Sequence, residues 1–142
     1  RSSMAREDLN SLLGAMFPFA QDMLDKYGEF YPFGATMTIA GEIKQTAAYT
    51  GDEHPSPQEL IELLEGGFRA LAAKKDVRAV GLCLDVRTIA PGQTQKTDAI
   101  CARLRHSDSE SVDVFLPYQK NESGMISYGD LFATQGEQDI FN

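Results

Sequence analysis

From Ala5 to Tyr27 the apolar residues Leu9, Leu12, Leu13, Met16, Ala20, Met23, Leu24 and Tyr27 recur at spacings of three and four. That period predicts an amphipathic helix with one buried stripe. Pro18 lies inside it and lacks a backbone donor, so a kink or a split after Phe17 is expected. Gly28 is placed to close the helix as a C-terminal cap.

The period then changes from 3.6 to two. Phe33, Ala35, Met37 and Ile39 alternate with Gly34, Thr36, Thr38 and Ala40, and Ile43, Gln45, Ala47 and Tyr49 repeat the alternation after Gly41. A three-residue loop of Ala40, Gly41 and Glu42 would set Ile39 opposite Ile43, which predicts a hairpin. Thr50 to Pro55 reads as a polar turn region. Ser56-Pro57-Gln58-Glu59 combines an N-cap serine, proline at the first helical position and a glutamate that completes a capping box. Leu60, Ile61, Leu64, Phe68 and Leu71 supply the buried stripe of the second helix, and Lys74-Lys75 suit its negative end. Gly66-Gly67 weakens its middle, for which close approach to the sheet is one conceivable reason.

Three more strands follow, over 79–86, 99–105 and 111–116, linked by segments carrying Pro91-Gly92 and Ser107-Asp108-Ser109. Met125 to Tyr128 suggests a short edge strand, and Ile140-Phe141 an anchor for the terminus. The expected fold is α+β, in the order α-β-β-α-β-β-β. It has an antiparallel sheet of five or six strands packed with two main helices, all within one domain over 4–142. Arg1-Ser2-Ser3 ahead of Met4 reads as a cloning remnant. The element order is that of roadblock-like and profilin-like domains, a likeness of topology that carries no function.

One face of the last three strands reads as core. The other carries Cys83, Asp85, Cys101, Arg103, Arg105, Asp113 and Phe115. Centring one hairpin on Gly92 sets Cys83 opposite Cys101, and centring the next on Asp108 sets Arg103 opposite Asp113. This is either a solvated surface with cross-strand ion pairs or, through Ala79, Gly81, Cys83, Ala99 and Cys101, a flat semi-apolar binding area. The junction Glu29-Phe30-Tyr31-Pro32-Phe33-Gly34 has two readings as well. Phe30 and Phe33 fill the space between helix and sheet, with Gly34 sparing a side chain there, or Glu29 and Tyr31 line a pocket.

Charge and chemistry narrow the function classes. The 142-residue chain carries a net charge of −8, which disfavours nucleic acid and anionic membranes as partners and permits a basic protein partner. Two cysteines make no disulfide framework, as befits a reducing cytosol. They also lack the spacing or helix-start setting that lowers a thiol pKa, so a redox pair is disfavoured. His54 sits in a polar loop and His106 ends a strand, and neither completes a zinc or nucleophile constellation. No phosphate loop, dinucleotide or nucleophile-elbow motif is present, so no cofactor is expected.

Glu29-Phe-Tyr-Pro-Phe-Gly34, Thr97-Asp-Ala-Ile100, Val112-Asp-Val-Phe-Leu-Pro-Tyr118 and Tyr128-Gly-Asp-Leu-Phe-Ala133 with Gly136-Glu137 resemble an uncharacterised family of small bacterial proteins. The resemblance runs from about Leu24 onward and implies a compact cytosolic domain, with no activity or catalytic residue to carry over. The functional expectation is a non-catalytic protein-binding or regulatory module, of immunity type or self-associating, with Cys83, Cys101, Arg103 and Asp113 on its sheet face. The alternative is a small-molecule-binding protein or enzyme with a pocket near Glu29 and Tyr31.

Overall fold

The computed structural model describes residues 2–47 and 54–141. Helix α1 (Ser2–Tyr27) precedes strands β1 (Phe33–Thr38) and β2 (Ile43–Ala47). Helix α2 (Pro57–Ala73) precedes β3 (Val77–Ile89), β4 (Lys96–His106), β5 (Ser111–Lys120), β6 (Ile126–Tyr128) and β7 (Phe132–Gln135). All strand pairs are antiparallel, in the order β2-β1-β3-β4-β5-β6, with β7 also pairing along β5. The α+β class and the antiparallel sheet agree with expectation, the strands numbering seven rather than five or six. No described helix is long and apolar enough to cross a membrane.

The helices lie on opposite faces of the sheet, so there are two cores. Leu12, Met16, Ala20 and Leu24 of α1 pack on Phe33, Ala35, Ala79, Cys83, Ile100, Ala102 and Leu104. Leu64 and Phe68 of α2 pack on Val80, Leu82, Leu84 and Cys101, together with Ile140. Two glycines set the approach of each helix. A Cβ on Gly81 would run into Met16 of α1, and one on Gly34 would lie 2.6 Å from Phe68 Cζ and 2.8 Å from the Gly81 carbonyl oxygen. Gly34 thus spares a side chain at the α2–sheet contact, whereas the sequence suggested this for the junction with α1. Phe30 and Phe33 are buried on the opposite, α1 face with ring centroids 6.0 Å apart.

Local chemistry explains the element ends. Ser56 Oγ accepts from the Glu59 N–H at 3.2 Å and donates to Glu59 Oε1 at 3.1 Å, which is the expected capping box with the hydroxyl as its second partner. Gly28 donates to Leu24 O at 2.8 Å and has φ 76°, closing α1. Pro18 does not split α1. It sits on the solvent side, as does Gly14, whose carbonyl it cannot serve and which water can reach.

Three sequence expectations are corrected. In the β1–β2 hairpin Ile43 pairs with Met37, not Ile39. Thr38 and Glu42 close a loop of Ile39, Ala40 and Gly41, because a three-residue loop takes its left-handed residue last and Gly41 has φ 95°. In the β3–β4 hairpin Cys83 pairs with Ala102, and Cys101 with Leu84. The loop there has six residues, 90–95, between the paired Ile89 and Lys96, so the hairpin's centre falls between Gly92 and Gln93. A one-residue shift moves a whole strand to the other face, and the two cysteines lie on opposite sides of the sheet. Finally, Gly66 and Gly67 do not approach the sheet: both are exposed, with nothing within 4 Å of an added Cβ.

These glycines should therefore respond in opposite directions. Gly34→Ala should lose about 1–3 kcal/mol from overpacking against a ring and a backbone oxygen that cannot both yield. Gly66→Ala should gain about 0.5–1 kcal/mol from helix propensity. Urea unfolding with an unchanged m-value reads both. A neutral Gly34→Ala would mean that α2 is not seated as described.

Candidate functional site

The buried charges come first, because such groups either hold a fold or do chemistry. Asp8, in the second turn of α1, is buried. It accepts from Arg78 Nη2 at 2.9 Å through Oδ1 and from Arg78 Nε at 3.1 Å through Oδ2, while His106 Nε2 lies 2.8 Å from Oδ2. The Asp108 backbone N–H points at His106 Nδ1 at 3.0 Å. A backbone N–H can only donate, so Nδ1 accepts and Nε2 carries the proton given to Asp8. Both ring nitrogens are committed, and His106 has no free lone pair for base catalysis. His106 ends β4, as the sequence suggested. Its carboxylate partner Asp8 lies 98 residues away, a pairing for which no local signal exists.

The second cluster centres on Arg105 of β4, whose side chain is 5% exposed. Its Nη1 donates to Asp113 at 2.7 Å and its Nε to Asp139 at 2.7 Å. Burial acts against the guanidinium, but the hydrogen bonds it donates to Asp139 and Asp113 outweigh this and hold the charge. Asp139 belongs to the segment after β7, where Arg69 of α2 donates to its carbonyl at 3.0 Å and Ile140 enters the α2-side core. The Arg103–Asp113 register agrees with expectation. The ion pairs, however, cross the ladder differently: Asp113 goes to Arg105, and Arg103 meets Glu65 of α2 at 3.5 Å.

The remaining candidate residues are dispersed. Cys83 is buried under α1 and Cys101 on the α2 side, and no disulfide joins them. Burial pushes the Cys83 thiol well up and the Cys101 thiol up to about 12, so neither is a thiolate near neutral pH. The flat area expected from Ala79, Gly81, Cys83, Ala99 and Cys101 does not exist as one surface, since its β3 members lie beneath α1. Glu29 and Tyr31 are exposed, Tyr31 at 47%, and neither lines the main clefts. Near them Tyr118 donates to Asp85 at 2.7 Å. The Asp85 carboxyl is pushed up, first by partial burial and then by the Asp98 charge, against the lowering effect of Tyr118; open surface on the residue keeps this shift in check. Among the described residues no group of three or more His, Cys, Asp or Glu is arranged to hold a metal ion.

What stands open is an edge. Among the described residues β2 pairs with β1 alone. Glu42 O accepts from Thr38 N–H at 2.8 Å, so by the alternation of an antiparallel ladder Lys44 and Thr46 bond inward to β1. Ile43, Gln45 and Ala47 then aim their backbone groups outward. Beside this edge lies a groove of about 500 Å³ lined by Lys44, Thr46, Leu63, Gly67, Phe68 and Leu71. Leu63 is 50% exposed there. On the opposite face Phe19 of α1, 41% exposed, packs on Phe33 with centroids 5.0 Å apart, and Gln45 Nε2 donates to Ala15 O at 2.8 Å. Two large apolar side chains therefore flank the same strand, one above and one below. Sequence reading assigned neither to a site, because each occupies an ordinary helical position. A groove of similar size between the β3–β4 turn and the β6–β7 segment lies beside strands of only three and four residues, and one of about 610 Å³ lies beside Ile140.

Compared with protein-family models, curated proteins and solved structures, the chain matches none.

The Asp8 cluster should show in acid. Burial raises the Asp8 pKa, but the Arg78 and His106 hydrogen bonds outweigh this and hold it below the ordinary 3.8. Folding thus favours the ionised form. That stability is present above the ordinary value and is lost as pH falls through the lowered one. Asp8→Asn should cost on the order of 2 kcal/mol at pH 7, the scale of a charge-assisted hydrogen bond. The deficit against wild type should shrink below about pH 4, as followed by urea unfolding across pH. A pH-independent deficit would assign the loss to packing alone.

Proposed function

We propose that this chain is a non-catalytic protein-interaction module that joins another polypeptide through its open β2 edge. The observation that carries this reading is the coincidence of outward backbone groups on β2 with exposed apolar side chains on both sides of it, Leu63 and Phe19. Addition of a strand to such an edge supplies main-chain hydrogen bonds, and neighbouring apolar grooves supply selectivity. The charges that could serve catalysis are instead bound to one another, Asp8 with Arg78 and His106, and Arg105 with Asp113 and Asp139. A pocket reading at Glu29 and Tyr31 gains no cleft to support it.

A displayed library of extended peptides, panned against dilute chain so that self-association does not compete, tests the reading. Wild type should enrich segments with apolar residues at alternate positions. Leu63→Glu should weaken their binding at least tenfold with the fold retained, whereas Ile89→Glu, exposed at the far end of β3, should not. Enrichment indifferent to Leu63 would refute the edge as the contact.

A further inference from the structure

The two edges of the sheet differ. On the far side β5 is capped in pieces, β6 pairing with Tyr118–Lys120 and β7 with Val112–Phe115, with Gly129 and Asp130 between them. Short, interrupted strands resist edge pairing. β2 is not interrupted in this way, and a single lysine is what blunts it. It runs five residues with neither proline nor bulge, and Lys44 is its one charge.

We infer that the partner of this edge is a second copy of the same chain, joined by antiparallel β2–β2 pairing about a two-fold axis through Gln45. The inference rests on the reading of β2 as the contact strand and adds the identity and register of what it binds. An antiparallel pair across a two-fold axis perpendicular to the sheet keeps each face on its own side, so every residue meets one of the same facing. Centring on Gln45 pairs all five of the described strand residues: Ile43 faces Ala47 of the other copy, Lys44 faces Thr46, and Gln45 faces Gln45. The outward residues Ile43, Gln45 and Ala47 then form the hydrogen-bonded pairs, in agreement with the inward bonding of Lys44 and Thr46 to β1.

Charge disfavours the register shifted toward the start of the strand. Centring on Lys44 would bring two lysines together in a close pair, which is unfavourable. In the Gln45 register each lysine meets a threonine, and no like charges oppose within the strand. The chain has a net charge of −8, and β2 itself holds no carboxylate, so pairing two copies of it opposes no like charges of that sign within the strand. The axis also brings the two Leu63 side chains toward one another on the α2 face and the two Phe19 side chains on the α1 face. Both exposed apolar groups of the edge are thereby accounted for by one symmetric operation.

The test is a cross-link specific to register. Lys44 and Thr46 of opposite copies form a non-hydrogen-bonded pair, with Cα atoms about 4.5 Å apart, inside the range a disulfide spans. A tagged Lys44→Cys chain mixed with an untagged Thr46→Cys chain should oxidise to a reducible heterodimer. Neither variant should cross-link alone, and the buried Cys83 and Cys101 take no part. Light scattering should give a wild-type dimer unaffected by reductant, and Leu63→Glu should raise its dissociation constant at least tenfold. Cross-linking of Lys44→Cys with itself would overturn the register, and a wild-type monomer at millimolar concentration would overturn the inference. A monomer that still binds displayed peptides in a Leu63-dependent way separates the two claims, since the module reading then stands without the second copy. A monomer that binds none removes both.

Discussion

The contact on which the rest depends is the double approach of helices to β1 and β3. Met16 of α1 comes down on Gly81 from one side, and Phe68 of α2 comes down on Gly34 from the other. Both glycines lie on paired strands, Gly34 beside Leu82 and Gly81 beside Ala35, so the two contacts share a few residues of ladder. A side chain at either position would lift a helix away from the sheet. With both helices seated, the central strands are buried on both faces, and only their ends and the outer strands meet water.

This geometry explains what the sequence did and did not reveal. Helix stripes, the Ser56 capping box and the Gly28 cap were legible, because each depends on residues within one or two turns of one another. The Arg103–Asp113 register was legible for the same reason, a short loop of Ser107, Asp108 and Ser109. The second buried face was not. Ala79, Gly81 and Cys83 alternate with Val80, Leu82 and Leu84, and small residues opposite large ones read as the solvent side of a half-buried strand. They are small because α1 lies close above them. A strand covered on both faces by helices tends toward a continuous apolar run, and the Val-Gly-Leu-Cys-Leu of β3 is such a run. The cysteine pairing failed at the β3–β4 turn, where one residue of offset exchanges the faces.

Buried charge was the other illegible part. The chain is acidic, and acidic residues are spread along it, so nothing in the sequence marks Asp8 or Asp139 from their neighbours. What distinguishes them is a cation brought from far along the chain: Arg78 and His106 for Asp8, Arg105 for Asp139. Taking one partner away from such a site leaves an uncompensated charge, which makes these clusters strong fasteners of specific segments even where their net contribution is small. Asp8 ties α1 to β3 and to the end of β4. Asp139 ties the chain end to β4 and, through its carbonyl and Arg69, to α2.

These charges hold segments together and both sheet faces are covered in the middle, so among the described residues the open backbone of the sheet lies at its rim. There the two sides of the sheet part company. β5 ends against short strands that offer little continuous backbone, whereas β2 presents alternate residues outward with Phe19 below and Leu63 above. Helix placement produces this result. α1 and α2 are centred on β1, β3 and β4, so each leaves β2 partly uncovered and exposes one apolar residue on its β2 flank. The same two glycines that seat the helices over the centre therefore leave the edge open, and the closeness of the core contacts and the availability of β2 have one cause.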